Sequence, residues 1–288
     1  MTDIIITVIS IAFSYYYAAF VHEYGHPGVL SSILVFAAAF LICYAILCVV
    51  FWILCFIISI PINTRKEYKK TSRFYTTVFG LMLEYAAYLS GVRVRVRGLE
   101  KIPGKERFLF VSNHRSSYDT IVQCGEMKLQ PMAFISKPEN FKIPLGHRYM
   151  TRCRYLSIDR ADIRSGARVT RQAAEMISSG QSCIGVYPEG TRNCSDRLLD
   201  FKNGCFKIAL WAKCPIVVSV ISGTDKIHKN FPFRRTKVIM EIIDVIPYSK
   251  IAGMKTQEIS ELVRGMMEEH LITGGKQYES SVLQPKGQ

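Results

Sequence analysis

Two short segments carry residues fit for chemistry. The first, Asn113-His114-Arg115-Ser116-Ser117-Tyr118-Asp119, follows directly on an apolar run at 108–112. An imidazole and a carboxylate five residues apart point to different sides of a continuous helix, because five residues turn through about 500°. The spacing suits a turn instead, with His114 on a loop leaving a strand and Asp119 folded back to it from the first turn of a helix. There Asp119 accepts the hydrogen bond from Nδ1, fixes the tautomer and stabilises the imidazolium, while Nε2 faces a hydroxyl as general base; no serine nucleophile is required. Alone, the segment reads equally well as an Asn-His turn with Asp119 capping a helix. The second segment, Tyr187-Pro188-Glu189-Gly190-Thr191-Arg192, follows the apolar residues 183–186. It offers backbone amides, a hydroxyl and a guanidinium, the equipment of a phosphate site, and Arg192 suits bidentate binding of phosphate oxygens. Glu189 would repel a phosphate, so it is expected to orient Arg192 or a substrate hydroxyl. Alone, this segment also reads as a Pro-Gly turn with exposed charges.

Both segments need strands that end beside them. Val92-Arg93-Val94-Arg95-Val96-Arg97 alternates strictly, as a half-exposed strand does, and 108–112 is a run of the buried kind. Further strands are expected at 132–136, 155–158, 183–187, 216–221 and 237–243, with helices over 118–127, 165–179, 205–213 and 257–271. The class predicted is α/β, a mostly parallel or mixed sheet flanked by helices. Sites in such sheets favour strand ends. The tail at 274–288 reads as flexible.

Ahead of this body lies a head of different character. Residues 4–21 give 18 positions without a charge and 29–60 give 32, separated by His22-Glu23-Tyr24-Gly25-His26-Pro27-Gly28. Each run is long enough to span a bilayer, and the longer one must tilt or end in an interfacial stretch. An N-terminal hydrophobic helical hairpin over 1–64 is expected. A cleaved signal peptide is disfavoured, since Asp3 and no cation precedes the first run. Arg65, Lys66, Lys69, Lys70 and Arg73 follow the second run, which places the body on the cytoplasmic face of the membrane and the amino terminus with it. Residues 65–91 read as a basic juxtamembrane and interfacial segment; within it 78–92 either lies along the interface or packs against the domain. The catalytic domain is set at 92–273.

Of the 23 Asp and Glu only Asp3 and Glu23 precede Thr64, while all 37 Lys and Arg follow it, so the body alone carries +16. Such a charge suits an anionic membrane surface or a phosphorylated substrate, and no nucleic-acid motif is present. The nine cysteines form no Cys-x-x-Cys pair, and Cys43, Cys48 and Cys55 read as small hydrophobes in an apolar run, so neither a disulfide framework nor a structural zinc is expected. His22-Glu23-Tyr24-Gly25-His26 matches the His-Glu-x-x-His zinc pattern. Gly25 and Pro27 favour a turn there, no third carboxylate lies in either apolar run, and an intramembrane zinc protease stands only as a remote alternative; no metal site is assigned.

The two chemical segments resemble the first and third motifs of the 1-acyl-glycerol-3-phosphate acyltransferases, within the glycerolipid acyltransferase superfamily. Ser157-Ile158-Asp159-Arg160 resembles the second motif and Cys214-Pro215-Ile216-Val217-Val218 the fourth, with Lys137 and Phe201-Lys202-Asn203-Gly204 as usual neighbours. The likeness covers about 90–245, with the motifs in order. Ser219 stands where many members have a second proline, and Arg154 where the second motif usually opens with glycine. The resemblance implies a catalytic dyad of His114 and Asp119, with Glu189, Gly190 and Thr191 helping to bind the acceptor phosphate and Arg160 and Lys137 adding positive charge. Asn113, Arg115, Ser116 and Arg192 complete the expected substrate contacts. It implies transfer of an acyl group from acyl-CoA or acyl-carrier protein to the sn-2 hydroxyl of lysophosphatidic acid, a step of phospholipid biosynthesis giving phosphatidic acid, with no cofactor beyond the donor. Another lysolipid or glycerol 3-phosphate is the alternative acceptor. The cluster Lys226, His228, Lys229, Arg234, Arg235 and Lys237 either receives an acidic donor or lipid, or is a solvated loop.

Overall fold

The computed structural model describes residues 2–25, 28–159, 162–195 and 197–282, and the chain divides into two compact units, 1–63 and 64–288. The first unit is α1 (Thr2–Gly25) and α2 (Val29–Ser59), each long and apolar enough to cross a membrane. Ile5, Phe13, Tyr16 and Phe20 on α1 and Leu34, Leu41, Ile46 and Ile53 on α2 are exposed, a surface unfavourable in water and at home in hydrocarbon. The buried hydroxyls of Ser10 and Ser14 donate to the carbonyls of Ile6 and Ser10, so neither polar group is left unsatisfied inside α1.

The second unit runs α3 (Arg73–Leu89), β1 (Val92–Arg97), β2 (Leu109–Ser112), α4 (Tyr118–Glu126), β3 (Met132–Ser136), α5 (Gly146–Arg152), β4 (Leu156–Ser157) and α6 (Ile163–Ser178). It continues with β5 (Cys183–Val186), α7 (Lys207–Ala212), β6 (Ile216–Ser222), α8 (Ile227–Asn230), β7 (Thr236–Ile246), α9 (Tyr248–Ile251) and α10 (Thr256–Val282). One mixed seven-stranded sheet has the order β1-β7-β6-β2-β5-β3-β4. β6, β2, β5, β3 and β4 are mutually parallel; β7 runs antiparallel to β6, and β1 follows β7. Phe108, Leu109, Phe110, Val111, Ile184, Ile216, Val217 and Val218 are fully buried, because these central strands are covered on both faces.

The α/β class and the mixed sheet agree with the sequence reading, and the differences have local causes. The stretch at 78–92 is mostly α3, whose buried Phe79, Met82 and Tyr85 recur every three residues and pack it on the domain. Its other side leaves Phe74, Tyr88 and Leu89 exposed. α10 continues through Gly274 and Gly275 to Val282, past the expected end at 271 and into the stretch read as flexible. Glycine weakens a helix by about 1 kcal/mol without blocking it, and no proline intervenes before Pro285. α6 begins two residues early because Asp162 accepts a hydrogen bond from the amide of Arg164 and caps it.

The two departures from the family pattern each have a structural counterpart. Arg154 adopts φ +58°, the left-handed region that favours glycine. Its guanidinium donates to the Lys69 carbonyl at 2.9 Å and to the Gln181 side chain, tying down the segment that precedes α3. Ser219 falls at the irregularity in the β6–β7 pairing, the kind of place where a central strand tolerates proline.

Candidate active site

β2 ends at Ser112, and a side chain continues its ladder. The Asn113 amide nitrogen donates to the Ile221 carbonyl at 3.0 Å and its oxygen accepts from the Ile221 amide at 2.8 Å, a rung made by a side chain in place of a peptide. His114 therefore leaves the sheet from a fixed point. Its Nδ1 lies 2.8 Å from Asp119 Oδ2. Asp119, in the first turn of α4, is fully buried, and Oδ2 also accepts the amides of Arg115 at 2.6 Å and Ser116 at 2.8 Å. Oδ1 accepts the Thr224 hydroxyl at 2.5 Å. A carboxylate oxygen facing Nδ1 favours the tautomer in which that nitrogen is the donor.

The imidazole lies flat on Tyr187, with ring centroids 4.1 Å apart and planes 11° apart. Tyr187 is held in turn by a polar chain: its hydroxyl donates to Gln123 at 2.7 Å and lies 2.9 Å from the Thr120 hydroxyl, and the Gln123 amide donates to Ser112 at 2.8 Å. Burial pushes the Tyr187 phenol well above its usual range, the Asp119 carboxylate adds to this, and the group stays a donor. Behind Tyr187 stacks Phe134, at 5.7 Å. Phe134 pairs in register with Gly185 on β5, and its ring occupies the space where a side chain at Gly185 would project.

The second segment closes over the first. Asn193 donates its amide to the His114 carbonyl at 2.7 Å, and Lys202 donates its amide to the Pro188 carbonyl at 2.7 Å. Gly190 turns with φ +70°, a conformation that costs a residue bearing Cβ, and the Lys202 stem lies against it. Thr191 and Arg192 are exposed beyond this turn, and among the described residues their amides have no acceptor. Glu189 differs from its expected role. It is 3% exposed; Oε1 accepts the His114 amide at 2.9 Å, and Oε2 accepts Asn193 Nδ2 at 2.9 Å and the Leu199 amide at 3.1 Å. The carboxylate is turned inward by these donors and binds the two segments together instead of facing Arg192.

Residues 93–222 match the acyltransferase family model. That stretch of the chain is similar to the acyltransferase family. Among its relatives, 1-acyl-sn-glycerol-3-phosphate acyltransferase alpha of Mus musculus is 28% identical over 187 residues, 64% of this chain and 65% of that protein. The protein of the same name from Ovis aries is 30% identical over 64% of each chain. The 1-acyl-sn-glycerol-3-phosphate acyltransferase of Borreliella burgdorferi is 25% identical over 66% of this chain and 76% of its own. The match thus spans slightly under two thirds of the length of the mouse and sheep relatives. The crystal structure of the 1-acyl-sn-glycerophosphate acyltransferase of Thermotoga maritima superposes over all of both chains with TM-score 0.60 at 22% identity, a likeness of fold.

Within this fold the parallel strands β2, β5, β3 and β6 bring His114, Tyr187 to Arg192, Lys137 and Thr224 to one edge of the sheet. Lys137 is exposed there, directly after β3. Arg160 and His26 lie outside the described residues. Arg115 is turned away from the dyad: Nε donates to Asp225 at 2.9 Å, and the other two nitrogens reach the carbonyls of Ser195 and Cys194. Burial alone would raise the Asp225 carboxyl, but the hydrogen bond and charge of Arg115 outweigh it and hold that group below its usual range. Ser116 is buried and its hydroxyl accepts the Tyr118 amide at 3.2 Å, opening α4. Thr224, Gln123 and the stacking face of Tyr187 had no place in the sequence reading. Gln123 was within reach of it, four residues beyond Asp119 and so on the same helix face. A cavity of about 990 Å³, lined by Lys69, Lys70, Arg154, Arg168 and Arg171 among others, opens instead near Gln181, at the end of β5 away from His114.

Proposed function

We propose that this chain is a membrane-held acyltransferase that moves an acyl group from acyl-CoA or acyl-carrier protein to the sn-2 hydroxyl of lysophosphatidic acid. The relatives' names support the acceptor, and the two long apolar helices support action at a membrane. The observation that carries the reading is the 2.8 Å contact of His114 with Asp119, beside a loop whose Thr191 and Arg192 are exposed. In this scheme Nε2 of His114 takes the hydroxyl proton as the oxygen attacks the thioester carbonyl. The tetrahedral intermediate collapses with cleavage of the carbon–sulfur bond, and the departing thiolate takes the proton back from the imidazolium. Ester and thiol are the products, and the donor is a co-substrate with no resident cofactor in the scheme.

The amides of Thr191 and Arg192, the Arg192 guanidinium and Lys137 supply an anion site for the acceptor phosphate. Holding the phosphate there converts binding into orientation of the hydroxyl. Asn113, Glu189, Arg115 and Ser116 position these groups through the backbone, and the basic body turns to the cytoplasmic leaflet. The test supplies purified chain in vesicles with labelled donors and a panel of lysophosphatidic acid, other lysolipids and glycerol 3-phosphate. Lysophosphatidic acid should be the preferred acceptor, and His114→Ala should lower turnover about a thousandfold, as loss of a general base does. Near-normal transfer by that variant would remove His114 from the chemistry, and preference for another acceptor would move the substrate assignment.

A further inference from the structure

The connection from β6 to β7 begins with Thr224, which holds Asp119, and then turns outward. Ile227 is fully buried and anchors it. Phe231 donates its amide to the Ile227 carbonyl at 2.9 Å, Arg234 donates to the Asn230 carbonyl at 2.7 Å, and the Asn230 side chain donates to the Thr236 hydroxyl at 3.0 Å. This braced turn nevertheless holds Phe233 94% exposed and Phe231 50% exposed. A single exposed apolar residue needs no explanation, but here the end of α3 adjoins the turn. Tyr118 donates its hydroxyl to Ser90 at 3.1 Å while its ring meets His228 edge-on at 5.2 Å, and Thr236 donates its amide to the Gly91 carbonyl at 2.9 Å. Tyr88 and Leu89 are exposed on that end of α3. Along this connection the charge has one sign: Lys226, Lys229, Arg234, Arg235 and Lys237 are exposed, and no Asp or Glu occurs from 226 to 240.

Rigid aromatic side chains ringed by cations fit the boundary between phosphate head groups and acyl chains. A protein partner would have to present an acidic rim around an apolar socket, whereas an anionic leaflet offers both in depth order. We propose that the 226–237 connection and the end of α3 form a second membrane contact, seated on an anionic leaflet beside the catalytic edge. Phe231 and Phe233 enter the acyl boundary, and Lys229, Arg234 and Arg235 meet lipid phosphates. The proposal rests on the reading of this chain as a membrane enzyme, and it gives a lipid acceptor a short path from the leaflet to His114.

The chain has two tryptophans, Trp52 and Trp211. With both changed to Phe, Phe233→Trp places a reporter at the tip of the turn without disturbing a packed core. The full-length variant is reconstituted in phosphatidylcholine vesicles containing phosphatidylglycerol and brominated acyl chains. Blue-shifted, bromine-quenched emission is expected, and Lys229→Gln, Arg234→Gln and Arg235→Gln should each weaken the inserted state about fivefold. Solvent-like emission without quenching, or quenching indifferent to all three neutralisations, would overturn the proposal. Should the tryptophan background fold poorly, amide exchange of 226–237 in the unaltered chain decides it: slower exchange in anionic than in zwitterionic vesicles supports the contact, and equal rates overturn it. Neither readout involves turnover, so a negative result here leaves the acyl-transfer reading to its own test.

Discussion

Asp119 meets no solvent, and each of its hydrogen bonds steadies His114 or the turn that carries it. Among the described residues the Thr224 hydroxyl is the one donor to Asp119 that comes from a distant element. Thr224→Val keeps the shape and removes the donor, so it should cost about 1.5–3 kcal/mol of stability, as loss of a hydrogen bond to a charged group does, and lower kcat with little change in KM. Denaturant titration beside steady-state kinetics checks both; unchanged stability would mean that the hydroxyl does not matter to the carboxylate. The five-residue spacing of His114 and Asp119 suited a turn but left a plain helix cap equally open, and the family resemblance favoured the pairing. Thr224 was not legible, since 105 positions separate it from Asp119 and a threonine after a strand has no distinguishing pattern. Glu189 and Asn113 show a related limit: sequence names a polar group at a strand end, but not whether it turns to a ligand or to its own backbone.

The elements position the imidazole by a relay of packed rings. Gly185 leaves room for Phe134, Phe134 stacks on Tyr187, and Tyr187 backs His114. Gly185→Ala should force Phe134 out of this arrangement, with a cost of about 1–3 kcal/mol, and should lower kcat through displacement of Tyr187. A melting curve and a turnover assay on the same preparation measure the two effects; full stability would show that the ring shifts freely. Most strands were legible to within a residue or two, since alternation and buried apolar runs mark them directly. β4 shrank to two residues because only Leu156 and Ser157 pair with β3. Arg154 was visible as a departure from the motif, yet its left-handed backbone and its hold on Lys69 depend on neighbours that lie far along the chain.

For the molecule as a whole, charge and length in the sequence set off a head at 1–64, and the contacts separate a unit at 1–63 from one at 64–288. That boundary was readable from the absence of any Lys or Arg before Arg65. The strand order was not: β1 sits beside β7, and β2 lies between β6 and β5, pairings that depend on how crossovers pack and leave no local trace. α1 ends at Gly25, α2 begins at Val29, and the two helices pack against each other. A polypeptide that enters a bilayer and returns at once conserves the side from which it set out. In sealed vesicles, a protease added to one face should therefore reach an epitope ahead of Thr2 together with the residues beyond Thr64, or reach neither; cleavage of one alone would mean that one helix does not cross.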